Sequence, residues 1–247
     1  MEESVDLQFH SNCKINLGLK ILNKRDDELH NLESIFVELD LHDTITFKPS
    51  DTFQFSSNIK ALEKDSTNTI FQAYNLLYSM VDVHQQYSIQ LSKNIPMGAG
   101  LGGGSSNAAV ILNVLNNLWS LDLTTDQLIK IAGKIGSDVS FFINGGNQYI
   151  EGIGNILSSI NHIKLSSFYI LLIYPNIHIN TGWAYASLKK GLEEPKTHNK
   201  FLDSNNKLNW QLLDNDFENV VFSTYPEIGE MKKKLISRKV LYAGLSG

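Results

Sequence analysis

Pro96-Met97-Gly98-Ala99-Gly100-Leu101-Gly102-Gly103-Gly104-Ser105-Ser106-Asn107-Ala108-Ala109 is the stretch that decides how the rest of the chain is read. Five glycines fall within the seven residues from 98 to 104, and two serines follow at once. Behind them Ala108, Ile111, Leu112, Leu115, Leu118 and Trp119 keep the i, i+3, i+4, i+7 spacing of a helix that buries one face. A glycine loop therefore runs directly into a helix N-terminus. Glycine lets the backbone turn its N–H groups inward with no Cβ in the way. The first helical turn adds unpaired N–H donors and a partial positive charge. Together they make a cradle for phosphate oxygens, with Ser105 and Ser106 adding hydroxyls. The bland alternative is a connecting turn, but each glycine costs backbone entropy on folding and plain turns seldom carry five.

Two familiar phosphate loops do not fit. A Walker loop needs Lys followed by Ser or Thr after its last glycine, and here Ser105 follows Gly104. A dinucleotide fingerprint closes a βαβ unit with an acidic residue about 20 residues on. Asp122 and Asp126 lie near that distance, but Leu121 to Ile135 reads as another helix. The cradle follows a third design.

The chain of 247 residues is 42% hydrophobic, enough for one large core or two smaller ones. Its net charge of −5, with no basic run longer than Lys232-Lys233-Lys234, argues against nucleic acid as the main partner. That lysine triplet reads as the solvated side of a helix. A single cysteine, Cys13, excludes an internal disulfide and fits a reducing compartment. No apolar run approaches the ~18 residues of a membrane span. The acidic start Met1-Glu2-Glu3-Ser4-Val5-Asp6 is unlike a basic signal or transit peptide. A cytoplasmic protein, acting on small molecules and not at a membrane, is expected.

Upstream of the loop, Leu7–Leu22 reads as two strand-like pieces around a polar break at Ser11-Asn12, with Lys14 and Asn16 on one face. Lys24 to His30 is a polar loop. Leu32–Leu39, Asp43–Phe47 and Phe53–Phe55 alternate at period two and suggest an antiparallel meander. Ser66 and Thr67 offer N-caps for a helix carrying Ile70, Phe71, Tyr74, Leu77 and Met80. Downstream, Thr124 and Gln127 have capping-box spacing for a helix expected to stop at Gly136. Gly145-Gly146 reads as a hairpin turn, with a second bend at Gly152 and Gly154. Phe168–Tyr174 and Val240–Ala243 read as strands, Thr181 as a helix cap, Lys189–Asn206 as a loop, and Trp210–Glu218 and Glu227–Ser237 as helices. Strands in a run, then helices beside antiparallel strands, give an α+β class. Ending on Gly244-Leu245-Ser246-Gly247, at the lip of another glycine turn, suggests a chain cut short.

A phosphate cradle needs a cation to balance charge and a group to orient the acceptor hydroxyl. Lys14, on a strand that would hold it still, is the cationic candidate; an edge lysine that blocks sheet association is its structural alternative. Asp138, among Gly136, Ser137 and Val139, is the carboxylate candidate, with helix capping as the plainer role. No His/Cys cluster has zinc spacing and no G-x-S-x-G elbow is present. No protein-held metal site is expected, only a hard cation travelling with nucleotide phosphates.

Residues 96–109 resemble the nucleotide-phosphate motif P-x3-G-L-G-x-S-S-A-A of the GHMP kinase superfamily. With Asn107 they are similar to the form found in members that phosphorylate a cytidine diphospho-methylerythritol. Cys13-Lys14-Ile15-Asn16-Leu17 resembles the A-K-I-N-L opening of those kinases, Gly136-Ser137-Asp138-Val139 their G-A-D-V, and Glu151-Gly152-Ile153-Gly154 their E-G-x-G. Asn215-Asp216-Phe217-Glu218 is similar to N-D-x-E, and Gly244–Gly247 to the start of a third glycine motif.

The resemblance implies transfer of the ATP γ-phosphoryl to a substrate hydroxyl, with Mg2+ borne by the nucleotide. It implies a two-domain fold: residues 1–157 an ATP-binding domain like ribosomal protein S5 domain 2, and 158–247 a ferredoxin-like domain, incomplete here. Lys14 and Asp138 match the catalytic positions. Asn68 falls near the adenine, and Pro96, Gly98, Gly100, Leu101, Gly102, Gly103, Gly104, Ser105 and Ser106 fall around the phosphates. Asn16, Leu29, His30, Ile153, Thr181 and Tyr185 match substrate-side positions, with His30 and Tyr185 at the cytosine. Where the family reads R-x-D-G-Y-H, this chain has Arg25-Asp26-Asp27-Glu28-Leu29-His30. Homoserine- and mevalonate-type kinases, and a degenerate nucleotide-binding homologue, are the alternatives. Asn107, His30 and N-D-x-E speak against the first two, and the retention of both Lys14 and Asp138 against the third. Monomer and homodimer both stay open.

Overall fold

The computed structural model describes residues 6–80, 85–165, 167–188, 201–203, 205 and 207–246. Two strands dominate, β1 (Leu7–Lys24) and β2 (His30–Ser50). Each is longer than the sequence suggests. The expected break at Ser11-Asn12 is absent, because Ser11 is buried and its side chain is hydrogen-bonded instead of turning the chain. The two strands predicted over 32–47 are one. Both β1 and β2 run through the two compact units into which the chain packs.

The first unit comprises residues up to Lys14, Glu38–Met97 and Leu101–Gly145. In it β2 pairs antiparallel with β4 (Gln86–Ser92), Ile45 opposite Leu91 and Phe47 opposite Ile89. β3 (Gln54–Ser57) pairs with β4 in parallel, so a simple antiparallel meander is not formed. Among the described residues four α-helices complete the unit: α1 (Thr69–Tyr78), α2 (Gly103–Leu118), α3 (Thr125–Ala132) and α4 (Ser137–Asn144). α1 packs on α2, α2 on α4 and α4 on α3. Ile45, Phe47, Ile89, Ile70, Leu77, Ile111, Leu112 and Phe141 are buried completely or nearly so, and Phe53 and Phe55 of the sheet side meet Phe71 of α1 edge to face.

Local chemistry sets the helix ends. Asn68, not Ser66 or Thr67, caps α1 by accepting from the Ile70 N–H at 3.0 Å. Thr124 and Gln127 form the expected capping box, but α3 stops at Gly133, three residues early. That makes room for α4, which the sequence reading missed, and Gly145-Gly146 links a helix to a strand instead of turning a hairpin.

The second unit comprises Ile15–Val37, Gly98–Gly100 and Gly146 onward. β2 pairs antiparallel with β5 (Asn147–Glu151), which forms a hairpin with β6 (Ile156–Ser159) around Gly152 and Gly154. α5 (Thr181–Ser187), α6 (Glu218–Thr224) and α7 (Pro226–Ser237) follow. Leu19, Ile21, Ala184, Phe217 and Val221 form a buried cluster, with Trp183, Tyr185 and Leu245 packed against it. Asn180, not Thr181, caps α5 through the Trp183 N–H at 2.9 Å. Only a 3-10 turn forms at 210–212, so the helix expected over Trp210–Glu218 begins where that reading ends.

Phe168–Tyr174 and Val240–Ala243 are not strands: they pair with no strand among the described residues, and Tyr169, Leu171 and Leu241 stand exposed. High β-propensity is a fit to a pleated, half-buried surface, and without a partner it does not make a strand. Most of the loop expected over 189–206 lies outside the described residues.

Candidate active site

The glycine loop leads into α2 as expected, with Gly98–Gly100 assigned to the second unit and the residues from Leu101 to the first. Gly98, Gly100 and Gly102 all have positive φ, near +70°, where a Cβ would strain the backbone. Gly102 is the N-cap of α2, and a Cβ there would lie 2.9 Å from the Phe142 ring and 3.1 Å from Lys14 Cγ. A Cβ on Gly103 would lie 2.7 Å from Lys93 Nζ. Gly102 is thus required by its backbone conformation and by close packing beneath the loop. Ser105 is half-buried in the first turn of α2 and Ser106 is fully enclosed.

Lys14 sits under this loop. Its backbone N–H donates to the Leu101 carbonyl at 3.0 Å, and its Nζ lies 3.3 Å from Asp138 Oδ2. The lysine side chain is 4% exposed and the aspartate 34%, so the ammonium is held inside while the carboxylate reaches water. Asp138 stands in the first turn of α4, where the helix dipole favours a negative charge. The spacing of 124 residues between them is closed by β1 and α4 meeting at Gly102. The structure therefore brings Lys14, Asp138, Leu101, Gly102, Gly103 and Gly104 into one place. Asn68 lies nearby in the chain of contacts: the next residue, Thr69, donates from Oγ1 to the Gly104 carbonyl at 2.7 Å. The Asn68 amide itself caps α1 and donates to the Leu62 carbonyl at 3.0 Å. Pro96 is half-buried beside Ile95 at the start of the loop.

A layer below the loop was not foreseen. Asp43, fully buried, accepts from the Asn94 and Ile95 N–H groups (2.7 and 2.8 Å), from Asn107 Nδ2 (2.9 Å) and from Lys93 Nζ. Ser11 Oγ donates to Ser106 Oγ at 2.8 Å and accepts from Asn107 Nδ2 at 2.9 Å. Asn107, the most distinctive letter of the motif, is thus a buried bracket. A signal for Asp43 existed: it shares a strand face with the core residues Ile45 and Phe47, and a carboxylate among apolar neighbours at period two demands buried partners.

The second unit carries the other expected residues. His30 at the start of β2 stacks on Tyr185 of α5, centroids 5.0 Å apart and planes at 20°, and Tyr185 meets Phe217 edge to face. Leu29 is 48% exposed. Glu28 has φ +66°, a left-handed conformation that the glycine of the family pattern would adopt without strain. Asn16 is buried, its Nδ2 3.4 Å from Ser34 Oγ and its backbone N–H donating to Ser246 Oγ at 3.0 Å. Ile153 lies in the β5–β6 turn, where the Leu32 N–H donates to the Gly152 carbonyl at 2.7 Å, and Thr181 is exposed at the start of α5.

The N-D-x-E residues turn out to be fasteners. Asn215 Nδ2 donates to the Leu245 carbonyl at 3.0 Å, and Glu218 Oε1 accepts the Leu245 N–H at 3.0 Å. Asp216 Oδ2 accepts from the Ile21 N–H at 2.9 Å. Lys232, expected on a solvated face, pairs with Glu218.

No helix among the described residues is long and apolar enough to cross a membrane. Comparison with known proteins agrees with this geometry. Residues 68–146, from the α1 cap through α4, match the family described as the GHMP kinases N terminal domain. A 4-diphosphocytidyl-2-C-methyl-D-erythritol kinase of Chlorobium chlorochromatii (strain CaD3) is 39% identical, over 98% of this chain and 85% of its own length. The enzyme of the same name from Chlorobium luteolum (strain DSM 273 / BCRC 81028 / 2530) is 36% identical over the same shares. A crystal structure of 4-(cytidine 5'-diphospho)-2C-methyl-D-erythritol kinase superposes with a TM-score of 0.77 at 25% identity, over 98% of this chain and 87% of that one. A glycine cradle closed on a Lys–Asp pair and likeness along nearly the whole chain lead to one conclusion: this chain belongs to the 4-diphosphocytidyl-2-C-methyl-D-erythritol kinase family of the GHMP kinases.

Proposed function

We propose that the chain transfers the γ-phosphoryl of ATP to the 2-hydroxyl of 4-diphosphocytidyl-2-C-methyl-D-erythritol, a step of the methylerythritol phosphate route to isoprenoids, in the cytoplasm. The observation that carries this reading is the ion pair of Lys14 with Asp138 against the glycine cradle.

Phosphoryl transfer asks little covalent chemistry of the protein and much positioning. The α2 N–H groups, with Gly102 to Gly104 and Ser105, hold the β- and γ-phosphate oxygens. Asp138, open to water on one side, orients the acceptor hydroxyl and takes its proton as the new P–O bond forms. Lys14 keeps that carboxylate ionised and offsets charge gathering on the transferred group. Mg2+ arriving with ATP would supply further charge neutralisation, held by the nucleotide's own phosphates with the Ser105 hydroxyl as the hard oxygen donor beside them. In this reading residues 1–157 are the ATP-binding domain and also lend Asn16, Leu29, His30 and Ile153 to the substrate, and residues 158–247 belong to the C-terminal GHMP kinase domain, which adds Thr181 and Tyr185.

On the substrate side, His30 and Tyr185 already stack on each other, so a cytosine docks on an outer face of the pair and not between the rings. Leu29 offers that base apolar contact without an aromatic face, where ~1–3 kcal/mol of stacking is at stake.

A coupled assay of ADP release tests the reading. Turnover that requires 4-diphosphocytidyl-2-C-methyl-D-erythritol, and that neither homoserine nor mevalonate supports, is expected. ADP release indifferent to the first compound refutes it.

A further inference from the structure

The buried polar layer under the glycine loop has no part in the chemistry above. We propose that Asp43 is a positioning residue for the nucleotide phosphates: its carboxylate ties both ends of the glycine loop together and fixes the cradle. The proposal rests on the kinase reading, since it assigns the residue that shapes that reading's phosphate site.

The geometry is that of a clamp. Oδ1 accepts the consecutive N–H groups of Asn94 and Ile95, which immediately precede the loop. Oδ2 accepts from Asn107 Nδ2, on the first turns of α2 that follow it. One carboxylate thus spans entry and exit. The bracket continues through Ser11, which joins Asn107 to Ser106, so the loop's final serine is registered on the same group. Lys93 completes the design: its ammonium pairs with Asp43 and lies where a Gly103 side chain would be, against the N-terminus of α2.

A loop of five glycines has many backbone conformations open to it, and only one aims its N–H groups at a phosphate. Apolar packing under such a loop would be at least as stabilising, since a buried ion pair seldom exceeds its desolvation cost. What a carboxylate offers that a leucine does not is directional acceptance from four donors at fixed points. Lys93 cancels the charge that would otherwise repel the nucleotide.

Asp43→Asn is the informative variant. The amide oxygen can still accept from Asn94 and Ile95, but its NH2 then faces two other donors, Lys93 and Asn107, and the exit arm opens. Equilibrium binding of ATP and of adenosine, measured beside thermal unfolding, reads the effect. ATP affinity is expected to fall at least tenfold while adenosine affinity stays within twofold, because the damage is confined to the phosphates. Ser11→Ala, a smaller change that leaves Asp43 in place, covers the case in which Asp43→Asn does not fold; it should weaken ATP severalfold with adenosine unchanged. Wild-type ATP affinity in either folded variant overturns the proposal, and so does a parallel loss of ATP and adenosine. If the wild-type chain binds adenosine but gains nothing from its phosphates, the kinase reading itself falls, and the clamp with it.

Discussion

Replacing Asp138 by Asn keeps the shape of the side chain and removes its charge and basicity. The amide oxygen can still meet Lys14 Nζ, 3.3 Å away in the parent, and Asp138 is one-third exposed, so the fold has water to compensate the change. Partly exposed ion pairs are worth ~0–1 kcal/mol, and we expect a stability loss of that order. The catalytic cost is different in kind. A positioned base contributes about 10²–10⁴ in rate, which is about 3–5 kcal/mol of barrier. Among the described residues the loop is held by groups other than the Asp138 carboxylate: the packing of Gly102, the Lys14 N–H on the Leu101 carbonyl, and the Asp43 contacts on either side of it. Asp138→Asn is therefore expected to lower kcat by at least a hundredfold while the KM for ATP stays within about threefold. Steady-state kinetics with varied ATP, beside ATP binding by titration, make the measurement. A kcat loss below tenfold, or an equal loss of ATP affinity, refutes the base role.

Other outcomes follow from single positions. Gly102→Ala adds a Cβ at φ +68° and 2.9 Å from the Phe142 ring, so a loss of about 2–4 kcal/mol is expected, whereas Gly104→Ala, with nothing nearer than 3.6 Å, should be tolerated; thermal melts of the two variants compare them. Glu28→Gly relieves a left-handed residue at the cost of a more flexible unfolded chain, with an expected net gain of up to about 1 kcal/mol in urea unfolding. Burial pushes the Cys13 thiol up to about 11, so it stays neutral in the folded state while the unfolded chain ionises earlier. Its contribution to stability is complete below the ordinary thiol value and is lost as pH rises toward 11. Unfolding midpoints should fall over that range, less so in Cys13→Ala, and alkylation at pH 8 should await unfolding.

The parts that were legible in the sequence are those whose signal is local. The glycine loop and α2 declare themselves by five glycines followed by a helical apolar face, and the α3 capping box by two residues three apart. Lys14 and Asp138 could be nominated from their neighbours, but their meeting depends on β1 and α4 converging at Gly102. α4 was missed because its cap, Gly136, has no side chain to announce a start, and Phe141-Phe142-Ile143 reads equally well as a strand. The opposite error occurred at Phe168–Tyr174, where β-branched and aromatic residues promise a strand but pairing, which is not a property of the segment, is not met among the described residues. Asp43 lay between: its place on an apolar strand face was visible, its four donors were not.

The proposed reaction is phosphoryl transfer to one hydroxyl of one substrate. Incubating the chain with ATP labelled at the γ-phosphate and 4-diphosphocytidyl-2-C-methyl-D-erythritol, then following the product by phosphorus NMR, tests it most directly. One new phosphomonoester on the 2-hydroxyl, carrying the label, is expected in amounts equal to the ADP formed. Label appearing only as inorganic phosphate, or on another hydroxyl, contradicts it.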